Sequence, residues 1–140
     1  MLSSCGYESI YLNNDKFDLP IKEFKLKGDK NINRKIISIL NFKKDDSNNF
    51  NYILKLDSEK LVEITAKDTA GNATIFKTSI NVEIQLDKND ELIGKKTFDE
   101  SFTYSNSEDK FSLLQYQKTI EANLIDKITE EIIFFLNNNV

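Results

Sequence analysis

The chain contains no histidine. The commonest general base, metal ligand and near-neutral proton switch is therefore missing at once. A single cysteine, Cys5, excludes an intrachain disulfide and any cysteine-rich metal centre. Glycine and proline are scarce while Asn, Lys and Ile are abundant, which reads as a compositional bias of the source. There is no basic excess: the formal net charge is -4, with both signs mixed along the chain, which argues against general nucleic-acid binding. No run of eighteen apolar residues occurs, so no segment is built to cross a bilayer as a helix. With no nucleophile elbow either, no catalytic residue and no metal ligand is expected, and the chain is not expected to be an enzyme. Its 140 residues correspond to one domain with enough length to bury a core.

What is present begins with Leu2-Ser3-Ser4-Cys5-Gly6. This is the residue order of a lipobox, in which a thiol receives diacylglycerol and the chain is then cut so that the cysteine becomes the first residue. The thiol is the nucleophile, and the small residues at Ser3 and Ser4 let a peptidase approach the backbone. Cys5 is therefore the expected lipidation site, and the acyl lipid is the only attached group expected. Only four residues precede Cys5, whereas a signal needs an apolar region of about 7–15 residues. The lipobox reading thus expects the reading frame to start further upstream. Residues 1–18 read as lipobox and tether, and residues 19–140 as one domain.

Ile21 to Lys27 predicts a short strand ending at Gly28-Asp29. Ile32, Ile36, Ile39 and Leu40 then follow at helical spacing, with Asp29 or Asn31 as the cap, predicting a helix from Asn31 to Phe42. Asp45 to Asn49 is a polar loop. Three long strands come next. Tyr52, Leu54 and Leu56 share a parity with Val62, Ile64 and Ala66, and the interruption by Ser58 and Lys60 predicts a bulge or kink near 57–60. Thr69 to Asn72 is a turn, with positive φ expected at Gly71 and Asn72. Phe76, Ile80, Val82, Ile84 and Leu86 alternate with Lys77, Ser79, Asn81, Glu83 and Gln85. After a turn at 87–90, Leu92, Phe98, Phe102 and Tyr104 share the even face of the third strand. Ser105 to Glu108 has capping-box spacing. Leu113, Tyr116, Ile120, Leu124, Ile128, Ile132 and Phe135 then step by three or four along one long amphipathic helix. The expected fold class is α/β (α+β). It is a two-layer sandwich in which a four-stranded mixed sheet is covered on one face by two helices, in the order strand-helix-strand-strand-strand-helix.

Few motifs carry chemistry. Ser107-x-x-Lys110 spells an acylation motif whose partner motifs are missing, so it reads as a helix start. Asp87-x-Asn89-x-Glu91 lacks the glycine and the closing glutamate of a calcium loop and reads as a hairpin turn. The paired carboxylates at 45–46, 99–100 and 130–131 read as solvated surface. Lys95 and Lys96 lie on opposite faces of a strand, where either could meet an anionic head group.

Val62 to Ala73, with its Ala66-x-Asp68-x-Ala70-Gly71-Asn72 run, resembles the last hairpin of bacterial immunoglobulin-like repeats, which implies a surface-exposed adhesive or carbohydrate-binding module. A broader resemblance spans nearly the whole chain. It joins Cys5-Gly6, a short strand, Gly28-Asp29 leading to Ile32-Asn33-Arg34, a three-stranded meander, Tyr104-Ser105-Asn106 and a final helix carrying Tyr116, Glu121, Asn123-Leu124, Ile128, Ile132 and Leu136. This order is similar to that of LptE, the lipopolysaccharide-assembly lipoprotein family. The resemblance implies a two-layer α/β sandwich at the periplasmic side of the outer membrane, held there by lipid. It implies an LptD-like β-barrel as partner and lipopolysaccharide as ligand, with Lys95 and Lys96 as candidate lipopolysaccharide contacts.

Overall fold

The computed structural model describes residues 21–40 and 52–139. The lipobox and tether at 1–18, Phe42 and the polar loop at 45–49 lie outside them. The elements run β1 (Ile21–Gly28), α1 (Lys30–Leu40), β2 (Tyr52–Lys67), β3 (Ala73–Lys88), β4 (Glu91–Ser105) and α2 (Lys110–Asn139). They form one four-stranded sheet in the order β1-β2-β3-β4, with β1 parallel to β2 and the other neighbours antiparallel. Both helices lie on one face, giving the two-layer α/β sandwich with a mixed sheet. The sequence left open where β1 joins the sheet; it is the end strand beside β2.

The core lies between the helices and the sheet. Leu54, Leu56, Ile80, Val82, Ile84 and Leu86 come up from the strands to meet Ile32, Ile36, Ile125, Ile128, Ile132 and Leu136. At about 25 cal/mol per Å² of apolar surface removed from water, this contact is the main favourable contribution to folding. The 30-residue α2 spans about 45 Å and reaches along β4 from Tyr104 to Gly94.

α1 starts where Asp29 Oδ1 accepts the Ile32 N–H at 2.9 Å, so Asp29 and not Asn31 is the cap. For α2 the expected capping box is replaced by Asp109. Its Oδ1 accepts the N–H groups of Phe111 and Ser112, and its Oδ2 accepts the Ser112 hydroxyl at 2.7 Å. These bonds to the charged form hold the Asp109 carboxyl below its ordinary pKa.

The expected bulge at 57–60 is absent: β2 and β3 stay in register from Tyr52 to Ile64, and the register slips on either side of Ala66. Ser58 interrupts the apolar alternation for another reason. Its hydroxyl lies 2.7 Å from Asn33 Oδ1 and 3.1 Å from the Asp29 carbonyl, while Asn33 Nδ2 donates to the Lys27 carbonyl. A buried polar knot thus ties β1, α1 and β2 together. Gly28 completes it with φ at +90°, and a Cβ there would sit 2.0 Å from the Ser58 carbonyl oxygen.

A second bulge was not expected. In β4, Gly94 pairs with Leu86 and Leu92 with Asp87, so Ile93 is the extra residue. The slip reverses the parity: Leu92 turns outward and is 59% exposed, while Ile93 packs against the core. Phe102 keeps the expected parity but is half exposed, because little covers it. In the Thr69–Asn72 turn only Gly71 takes positive φ; Asn72 instead donates its N–H to Asp68 Oδ1. The 87–90 turn places both Asn89 and Asp90 at positive φ, as a tight hairpin requires.

Candidate functional site

The second face of the sheet has no covering layer among the described residues. Its side chains come from the outward parity of β2, β3 and β4, and they pair with one another along and across the strands. Lys55 meets Asp87 at 3.3 Å, Gln85 Nε2 donates to Asp87 Oδ1 at 3.0 Å, Lys95 meets Glu83 at 3.8 Å and Asn81 donates to Asp99. Such exposed pairs contribute little to stability, about 0–1 kcal/mol each. What they provide is a polar surface on which several charges, those of Lys55, Asp87, Lys95 and Glu83, already have partners. Lys77, Ser79, Asn81, Glu83 and Gln85 run down its centre.

Lys95 belongs to that face. Lys96, its neighbour, lies on the helix side, with its ammonium 5.3 Å from the centre of the Phe98 ring. The structure therefore separates the two lysines, as alternation requires. Lys96 lines an open groove of about 510 Å³ between β4 and the end of α2, together with Phe98, Glu130, Glu131, Ile133 and Phe134. Phe134 is 70% exposed there. A cation beside exposed aromatic surface can hold the charged end of an amphiphile.

Deeper in the same region a carboxyl pair appears that the sequence did not disclose. Burial pushes the Glu131 pKa up, and the charge and hydrogen bond of Glu100 push it further, while Lys127 and Lys96 pull it down. Lys127 meets Glu100 at 3.2 Å. Glu131 Oε1 and Glu130 Oε2 are buried and have no hydrogen-bond partner among the described residues. Glu130 and Glu131 are therefore half-buried, with one carboxylate oxygen of each withdrawn from the surface. A raised carboxyl beside a second one can keep a proton where α2 crosses β4. Glu100 lies 31 positions from Glu131, so only the packing of α2 on β4 brings them together. Cys5 lies outside the described residues.

No protein-family profile matches the chain, and no curated protein matches it in sequence. Solved structures do match in fold. The minor lipoprotein of Acinetobacter baumannii aligns over 79% of this chain and 87% of its own, with a TM-score of 0.58 and 15% identity. Rare lipoprotein B of Shewanella oneidensis aligns over 83% of this chain and 97% of its own, with a TM-score of 0.55 and 17% identity. An uncharacterised lipoprotein B of Nitrosomonas europaea gives a TM-score of 0.56 at 8% identity, over 82% of this chain and 81% of its own. At these identities the likeness is one of fold, and the chain shares the fold of solved lipoproteins over about four-fifths of its length.

Proposed function

We propose that this protein is a non-enzymatic lipoprotein anchored through diacylglycerol on Cys5 at the periplasmic side of the outer membrane. There it sits inside an LptD-like β-barrel and supports the transport and assembly of lipopolysaccharide. The observation that carries the reading is the fold shared with three lipoproteins, taken with a lipobox-like Leu2-Ser3-Ser4-Cys5 run in the same chain. The open polar sheet face supports the partner. The lumen of a large membrane barrel is itself polar, and a polar face with part of its charge already paired suits such a wall. Lys96 is the better placed of the two candidate lipopolysaccharide contacts, because the exposed Phe134 lines the same groove and offers apolar surface there. Lys95 is engaged by Glu83.

The immunoglobulin-like alternative needs two packed sheets and almost no helix. The described residues form one sheet and two helices of 11 and 30 residues, so the Ala70-Gly71-Asn72 hairpin shares only its turn chemistry with those repeats.

Detergent extraction followed by affinity capture of the full chain tests the proposal. A barrel protein should co-purify and remain bound in Cys5→Ser, with crosslinkers at Lys77 or Glu83 reaching its wall. Capture without a barrel, together with unchanged surface lipopolysaccharide after depletion, would leave a lipoprotein of this fold with a different partner.

A further inference from the structure

The 21–40 segment carries six cations, Lys22, Lys25, Lys27, Lys30, Arg34 and Lys35, against only Glu23 and Asp29. The rest of this net-acidic chain is correspondingly more acidic. Positive charge is therefore concentrated on β1 and α1, one edge of the sandwich. Among the described residues Lys25, Lys27, Lys30 and Arg34 form no ion pair. Lys25 stands opposite Lys55, and Lys27 opposite Asp57 without pairing to it.

β1 is also an end strand, with β2 as its one described strand neighbour. Half of its peptide groups point away from β2, where another strand could bond to them. Its side chains alternate. Phe24 and Leu26 share the helix face with Leu54 and Leu56, their partners in β2, and Lys25 and Lys27 share the opposite face. On the helix face a mostly apolar groove of about 700 Å³ runs between β1 and α1, formed by Leu26, half exposed, and Ile37, with Lys30 and Arg34 along its rim.

From these placements we propose that the β1 edge is a docking site for an extended acidic segment of a partner protein, one that alternates apolar and acidic residues and adds to the sheet as a fifth strand. Parity dictates the chemistry. The partner's helix-side residues must be apolar to fill the groove over Leu26 and Ile37. Its opposite-side residues must be acidic to lie across from Lys25 and Lys27. The backbone ladder supplies affinity and the alternation supplies selectivity, as in other cases of strand addition. The proposal is independent of the barrel partnership and of the lipid on Cys5.

The test uses the full chain and a fluorescein-labelled, acetylated peptide of about seven residues, alternating Glu and Val, to match the length of β1. Two controls accompany it: the same composition in two blocks, and the alternating peptide N-methylated at every second residue. Fluorescence anisotropy should show the alternating peptide binding at least about tenfold more tightly than either control. The double variant Lys25→Glu, Lys27→Glu should lose that binding while its circular dichroism stays unchanged, and the β1 amides should exchange more slowly with peptide bound. Equal binding of the block or methylated peptide would overturn the proposal, because plain charge attraction would then suffice. So would no binding of the alternating peptide. Adsorption to phosphatidylglycerol vesicles, lost in the double variant and with no preference among the peptides, would assign the basic edge to a membrane surface instead.

Discussion

One strand, β2, passes through two different environments. From Tyr52 to Ser58 it lies beside β1 and beneath α1, and its residues alternate between buried and half-buried. From Glu59 onward β1 has ended, α1 does not reach, and Leu61, Val62 and Ile64 are about half exposed. The base of the sandwich thus has four strands under two helices, and its tip has three strands under one. Apolar alternation is similar in both halves of β2, yet only its base half converts it into burial. Alternation sets which side chains share a face, and a second element must still cover that face. The tip accordingly leaves Phe102, Phe111, Leu114 and Tyr116 exposed on β4 and α2.

The sharpest way to break this comparison is one charge in each half of α2. Ile128 has no exposed surface, whereas Leu114 is 49% exposed. Ile128→Asp should lower unfolding free energy by about 4 kcal/mol by burying an unpaired carboxylate, and Leu114→Asp by less than about 1 kcal/mol. Denaturant midpoints measure both; equal shifts would mean that the tip is covered in solution.

The polar knot comes next. Ser58→Ala removes the hydroxyl beside buried Asn33 Oδ1 and should cost about 2 kcal/mol, because that oxygen is left without its donor. At the matching depth in the tip, Val62→Ala should cost less than Ser58→Ala, although it deletes more apolar volume. Chemical denaturation of the pair gives the order.

Helix caps extend the comparison. Asp29→Ala should cost about 1 kcal/mol, since it frees an N–H at a half-buried junction of the base. Asp109→Ala, at the open end of α2, should cost less, because water replaces the lost acceptor.

The smallest expected effect is one of pH. Asp68 and Asp109 titrate below the ordinary 3.8, so their contribution is complete above that value and is lost as pH falls through their lowered values. Glu131 works the other way. Its pKa is raised above 4.5, so the folded protein binds more protons than the unfolded chain just above 4.5, and stability falls as pH rises through that window. Glu131→Gln should flatten the fall and leave the acid limb below 3.8 in place, as thermal midpoints against pH would show. An unchanged slope would mean that Glu131 is solvated.

Much of this fold was legible because its signals are local and periodic. Residues Ile80 to Leu86 alternate strictly and are an interior strand; the series from Leu113 to Phe135 steps by three or four and lies in α2, where Leu136 is buried in place of Phe135, which packs half-buried against the core. The misreadings share one cause. Ser58 looked like a break in a strand because a lone sequence does not display Asn33 as its partner. Strict alternation puts Leu92 on the buried face, but a one-residue bulge reverses parity while leaving composition unchanged. Ser105 to Glu108 and Asp109 satisfy the same short-range capping rule, so spacing alone does not choose between them.

The candidate sites divide in the same way. That Lys95 and Lys96 lie on opposite faces follows from the two-residue period of a strand and nothing else. Alternation likewise determined the polar side chains of the open sheet face, and composition alone gives a chain with no histidine and one cysteine. Tertiary structure alone decided that Lys96 shares a groove with Phe134, that Glu100 meets Glu131, and that β1 is an end strand with its cations and its groove on the outside. Each of these depends on which elements become neighbours. Neighbours are chosen by the burial of whole faces against one another, a property that no single segment of the chain carries.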